Sequence, residues 1–206
     1  MTSAEWLTIH GDPDAWRALG LVIGDDGLVP LFGTCLRLVE APTAELAGWA
    51  LSGVEGGGTD RIDGLATEYV TDRPPLFADH PLGAIGLDHV VVLSNDLDRT
   101  SSAIAEATGC DLKRVREVGE MRQGFHRIGA GGLIVEIVER PDVPAGPASF
   151  WGIVLNVEDL DAAVELLGPE RVGAAKDAVQ PGRRIATLRS DAGLGIPVAL
   201  MNPDVR

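Results

Sequence analysis

Two ionisable side chains stand inside runs that are otherwise apolar. His89 lies in Leu87-Asp88-His89-Val90-Val91-Val92-Leu93, and Glu136 in Leu133-Ile134-Val135-Glu136-Ile137-Val138. A charge buried in such a strand is costly unless something pairs with it. For His89 the partner could be Asp88 or Glu136. For Glu136 it could be Arg122 or Arg127 on a neighbouring strand, a wet cavity, or a metal ion. Gln123, Phe125 and Arg127 alternate along one strand and therefore share a face. Turned into a cavity, they would offer an amide, an aromatic wall and a cation to an acidic small molecule; turned outward, they are core and rim. Trp151, with Phe150, would add a second aromatic wall, or else serve the core. His126 points to that cavity or to the opposite face, depending on the strand's phase. His10 and His80 stand beside Gly or Pro and are expected to be solvated. The glycine runs at 56–58 and 129–132 precede no helix opening on Lys-Ser or Lys-Thr, so they are not phosphate loops. No G-x-S-x-G nucleophile motif is present.

The elements that must hold these groups repeat. Residues 87–98 return in altered form at 150–161, and residues 133–139 return at 196–202, both at an offset of 63. Such a duplication constrains the fold strongly. In the earlier copy a strand through Leu93 leads to a helix capped by Asn95 or Asp96 and ended at Gly109. Leu97, Ser101, Ile104, Ala105 and Thr108 form its inner stripe. Strands follow near 112–118, 121–128 and 133–139, the last two joined by the turn Gly129-Ala130-Gly131-Gly132. In the later copy Phe150 to Val157 is a strand, and Leu160, Ala163, Val164 and Leu167 line a helix stopped by Gly168-Pro169. Weak strands near 172–178 and 183–189 precede a last strand at Ile196 to Met201. Upstream, Trp6 to His10, a helix begun at Asp12-Pro13, and strands near 28–32, 34–39 and 48–54 suggest a degenerate unit of the same kind. Between them Gly56-Gly57-Gly58, Asp63-Gly64 and Pro74-Pro75 read as a linker with one short strand near 66–70. The expected plan is a unit at 1–55, a linker at 56–84, and a domain at 85–206 built of units 85–141 and 149–203.

Composition bounds the function. The chain has 206 residues, 45% hydrophobic and 23% charged, with a formal net charge of −14. That charge repels phosphate backbones and anionic bilayers, so nucleic-acid and membrane partners are not expected. No signal peptide or membrane-length apolar stretch is seen, and the expected location is the cytoplasm. Cys35 and Cys110 form no C-x-x-C and read as reduced structural thiols.

The order strand, helix, three strands, repeated, with acidic caps after "DHVVVLSNDLD" and "WGIVLNVEDLD", resembles the glyoxalase / bleomycin-resistance / dioxygenase superfamily, the vicinal oxygen chelate fold. The likeness covers 85–203 well and 1–55 loosely. It implies an α+β protein whose βαβββ units form a curled mixed sheet around a small-molecule cavity. It also implies one divalent ion (Fe, Mn, Zn, Ni or Co) held by the first and fourth strands of each unit. In this chain the implied metal positions are His89 and Glu136. The equivalents 63 residues on are Gly152 and Ala199, which have no donor. His126, a partner chain, or Glu5 would have to complete the set; Glu5 falls opposite His89 if Asp12-Pro13-Asp14 aligns with Asp96-Leu97-Asp98. The implied function is a metal-dependent lyase, isomerase, epimerase or dioxygenase. The alternative, favoured by Gly152 and Ala199, is a metal-free drug- or metabolite-binding protein. An unpaired unit with a bare sheet edge would favour a homodimer.

Overall fold

The computed structural model describes residues 1–54, 60–71, 77–130 and 132–203; the runs at Gly56-Gly57-Gly58 and Pro74-Pro75, and Gly131, lie outside them. In chain order the elements are β1 (Ser3–Gly11), α1 (Pro13–Ala18), β2 (Leu28–Val29), β3 (Cys35–Glu40), β4 (Glu45–Ser52), β5 (Arg61–Ile62), β6 (Leu65–Tyr69), β7 (Ala84–Ser94), α2 (Leu97–Thr108), β8 (Arg114–Val118), β9 (Met121–Ile128), β10 (Leu133–Glu139), β11 (Ser149–Val157), α3 (Leu160–Leu167), β12 (Lys176–Asp177), β13 (Arg184–Thr187) and β14 (Val198–Met201). They form one mixed sheet ordered β2-β3-β1-β4-β6-β5 and a second ordered β12-β13-β14-β11-β7-β10-β9-β8.

The helices start where short acidic side chains take up free amide groups. Asp12, Asp96 and Asp159 accept from the backbone N–H of Asp14, Arg99 and Ala162. Gly109 ends α2 in the left-handed conformation, with its N–H on Ala105 O. The buried stripe of α2 is Leu97, Thr100, Ser101, Ile104 and Thr108, so Thr100 takes the place expected for Ala105. In α3 Leu160, Ala163 and Leu167 are buried.

The second sheet carries the duplication down to its register. β7 runs parallel to β10 with His89 beside Ile134, and β11 runs parallel to β14 with Val154 beside Ala199. The two first strands pair antiparallel at the centre, His89 opposite Val154 and Val91 opposite Gly152. Those two pairs exchange under the 63-residue offset, which places a pseudo-twofold between β7 and β11. Asp88 is an extra residue on β7: Leu155 pairs with Leu87 and Val154 with His89, leaving a bulge between.

The first sheet repeats this plan in reduced form. β1 is parallel to β3, which is antiparallel to β2, giving the degenerate β1-α1-β2-β3 unit. β4 pairs antiparallel on the other edge of β1, as β11 does on β7. β6 then lies parallel outside β4, with β5 antiparallel beyond it, so a further partial unit without a helix faces the first. β1 is bulged at Glu5, between the pairs Ala4–Leu51 and Trp6–Ala50.

One continuous apolar core runs through both sheets, from Leu7, Trp49 and Leu51 to Val90, Val135, Ile153 and Leu200. Trp49 meets Phe150 edge-on at 5.7 Å between ring centres, which packs Phe150 against the core while it also borders a small cavity beside Trp151. Asp63 clasps the two halves. Its carboxylate accepts from Arg99 Nε at 2.9 Å and from Thr100 Oγ1, and its carbonyl accepts from Ala148 N–H at 2.8 Å. It does so at φ +47°, a conformation non-glycine residues rarely adopt.

Candidate functional site

Strand periodicity sorts the groups of the second unit onto two faces. Val90, Val135 and His126 form one row across β7, β10 and β9 and face α2. The opposite, concave face carries the rows His89–Ile134–Arg127, Val91–Glu136–Phe125–Arg114 and Val138–Gln123–Arg116. His89 and Glu136 are therefore diagonal neighbours, and so are Glu136 and Gln123.

A single chain of polar contacts links these side chains. Gln123 Nε2 donates to Glu136 Oε1 at 2.6 Å. Glu136 Oε2 lies 3.2 Å from His89 Nε2, with both side chains mostly covered. His89 Nδ1 is 2.8 Å from Asp88 Oδ2, and Asp88 Oδ1 is 2.6 Å from Arg183 Nη1. The bulge makes this possible, because it lets consecutive residues 88 and 89 turn toward each other. Arg183 lies just before β13, in the later unit. It also donates through Nε to Asn202 O at 2.9 Å, through Nη1 to Gln180 Oε1 at 2.9 Å, and through Nη2 to Asn156 Oδ1 at 2.7 Å. A guanidinium only 6% exposed is thus paired at every nitrogen.

The electrostatics follow from burial and pairing. Burial pushes the Asp88 carboxyl upward, but His89 and Arg183 outweigh it and hold it below the usual carboxylate range. The ionised Asp88 accepts from His89 Nδ1–H. Glu136 is raised, chiefly by burial; the pull of His89, Gln123 and Arg116 only offsets part of that. Arg122 does not reach Glu136, because it is engaged by Asp98 and Glu139. Arg127 is exposed and bonds Gly132 O at 3.2 Å.

In the later unit the positions matching His89 and Glu136 lie in an apolar neighbourhood. Val154, Ala199 and Met201 cluster there with Ala178 and Ile185. Gly152 can carry no side chain as the backbone stands, since a Cβ would lie 2.6 Å from Pro197 O. A four-ligand metal centre of the implied kind therefore does not fit. Two facts favour a smaller one: the 3.2 Å separation of Nε2 and Oε2 suits two ligands on one ion, which stand about 3 Å apart, and Gln123 Oε1 is buried without a partner. Among the described residues no group of three or more His, Cys, Asp or Glu converges as a metal site.

The remaining sequence candidates lie elsewhere. His126 is on the α2 face, Nδ1 donating to Cys110 O at 2.9 Å and Nε2 against Ser101 Oγ at 2.9 Å, so it does not join His89 and Glu136. Its phase on β9 is opposite to that of Gln123, Phe125 and Arg127, which do share the concave face. Trp151, the bulged residue of β11, borders a separate cavity of about 340 Å³ beside Ala47 and Pro197. Glu5 is buried in the first sheet and accepts from Ser52 Oγ at 2.6 Å. Its bulge matches Asp88, not His89, because the bulge shifts that alignment by one residue. His80 is buried rather than solvated, accepting from Val22 N–H and donating to Pro30 O. Cys35 and Cys110 are not joined in a disulfide. Asp88 was legible as a neighbour of His89. Arg183 was not, because an arginine in a polar loop carries no periodic signal.

Beside the chain lies a cavity of about 1200 Å³. Leu87, Asp88, Ile134, Arg127 and Arg183 line it, together with residues 30–34 and 77–80.

Comparison with known proteins agrees with this architecture. The profile of the Glyoxalase/Bleomycin resistance protein/Dioxygenase superfamily matches residues 86–191. A methylmalonyl-CoA epimerase from Mycobacterium tuberculosis superposes with a TM-score of 0.50 at 18% identity, over 59% of this chain and 89% of its own. A 4-hydroxymandelate synthase variant from Streptomyces coelicolor has a TM-score of 0.65 at 15% identity, over 98% of this chain and 93% of its own. BphC, a halotolerant catechol dioxygenase, has a TM-score of 0.66 at 13% identity, over 98% and 89%. At these identities the likeness is one of fold, and in the last two it takes in the first sheet as well as the second. No curated protein matches the sequence. No helix among the described residues is long and apolar enough to cross a membrane. With the duplicated register and the profile match in agreement, the chain belongs to the Glyoxalase/Bleomycin resistance protein/Dioxygenase superfamily.

Proposed function

We propose that this protein binds a small acidic organic molecule on the concave face of the 85–141 unit, and that a metal ion is not required. The observation that carries this is the polar chain Arg183–Asp88–His89–Glu136–Gln123, in which each carboxylate already has a partner within the protein. Asp88 is matched by Arg183, and Glu136 lies 3.2 Å from His89 Nε2 and accepts from Gln123 Nε2. The cations left over are Arg114, stacked 4.8 Å over the Phe125 ring, with Arg116 and Arg127 in neighbouring rows. A carboxylate, sulfonate or phosphate would find them, while Phe125 offers an apolar surface. This is the drug- or metabolite-binding mode of the superfamily. The test is a thermal-shift screen of organic acids with a chelator present. Acids that raise Tm in the parent, and less so in Arg127→Gln, support the reading; a broad panel that moves nothing ends it.

The spacing of His89 and Glu136 and the bare Gln123 Oε1 favour a second reading. His89 and Glu136 would hold a divalent ion, which supplies Lewis-acid chemistry for a lyase, isomerase or dioxygenase reaction. Elemental analysis after anaerobic reconstitution with Fe, Mn, Zn, Ni or Co decides it. Stoichiometric metal that is lost in His89→Ala supports this reading over the first, and absence of bound metal removes it.

A further inference from the structure

Two large aromatic rings border the main cavity with most of their surface bare. Phe32 and Phe77 are each 72% exposed, and their ring centres lie 6.5 Å apart at a tilt of 35°. Phenyl rings this exposed are uncommon, and a pair in contact marks a surface that covers something. The pair is assembled from two distant segments. Phe32, in the loop between β2 and β3, is fixed by its N–H on Ile85 O at 2.9 Å and by a bridge to Gly86 on β7. Phe77 lies upstream of β7. Both rings line the same cavity as Arg127 and Ile134. Among the described residues Arg127 makes no ion pair, and it donates to Gly132 O.

We infer that the cavity is built for an acid with a flat apolar tail, an arylalkanoate-like molecule, whose head group meets Arg127 and whose tail packs against the Phe32–Phe77 pair. The inference rests on the acid-binding reading above and adds the tail to it. A head group alone would leave most of about 1200 Å³ unfilled, and Leu87 and Ile134 are among the other residues lining it. The cavity, rather than a flat patch, points to a small molecule in place of a protein partner. Phe32 comes from the first sheet, which gives that sheet a part in recognition.

Calorimetric titration with 4-phenylbutyrate, butyrate and 4-phenylbutanol tests this on the full chain. The expected result is 4-phenylbutyrate binding at least about tenfold tighter than either of the others. Phe32→Ala with Phe77→Ala should abolish the advantage over butyrate while leaving butyrate binding intact. Arg127→Gln should abolish the advantage over the alcohol. All three side chains are exposed, so an unchanged Tm checks that the variants fold. If the paired alanine variant keeps the full advantage, or if butyrate binds the parent as well as 4-phenylbutyrate does, the tail site is wrong and the acid site stands. If no acid binds, both fall. If the parent sediments as a dimer that the paired alanine variant dissociates, the rings serve self-association and the tail site is overturned.

Discussion

At the scale of single residues, the buried pair of Asp88 and Arg183 matters most. Both side chains are under a tenth exposed. Removing one partner of such a pair strands the other charge, at a cost of about 3–5 kcal/mol. Asp88→Ala should therefore lower stability in urea by that order and also free His89 Nδ1. Asp88→Asn keeps the shape and should cost less, yet still weaken acid binding. His126 gives a pH signature of its own. Burial lowers its pKa, against the backbone bond to Cys110 that raises it. The unfolded chain then binds this proton first, near the ordinary value of about 6.5. Its stabilising contribution is fully present above that value and is lost as pH falls below it. Urea midpoints measured from pH 7.5 to 5.5 should fall more steeply in the parent than in His126→Gln. His89 and Glu136 could be picked out from sequence because a polar residue in an apolar strand must be accounted for. Whether His126 joined them depended on the phase of β9, and the sequence leaves that phase open.

At the scale of elements, the later unit has lost more than donor atoms. Pro197 O occupies the space a side chain at Gly152 would need. Gly152→His should not restore a metal site; it should destabilise the chain by about 1–3 kcal/mol through overpacking, read as a lowered Tm with no metal retained. Asp96→Ala, which removes the α2 cap, should cost about 1 kcal/mol. The duplicated strands were legible because the offset of 63 preserves register in both units. The two-residue strands β2, β5 and β12 were not, since so short a pairing has no periodicity to detect.

At the scale of the whole molecule, the first sheet and the second share one core. Unfolding should accordingly be a single transition, with calorimetric and van't Hoff enthalpies in agreement. The clasp at Asp63 should carry part of that coupling. Asp63→Ala removes the contacts to Arg99 and Thr100 while leaving a side chain at positive φ, and should lower stability by about 2–3 kcal/mol. Asp63→Gly tolerates that φ and should lose less. The reduced repeat in the first sheet was only half visible in sequence, because β4 looks like one more strand of the unit it follows until its antiparallel pairing with β1 is seen.

The extra residue in β7 has one more consequence. Strand side chains alternate with a period of two, so an insertion inverts the phase of everything on one side of it. With residue 88 in place, Leu87 and His89 lie two apart in sequence yet pair with Leu155 and Val154, consecutive residues on opposite faces of β11. Deleting Asp88 would restore plain alternation in β7 without disturbing its pairing, so the deletion should lower Tm about as much as Asp88→Ala does, through the lost contacts to His89 and Arg183.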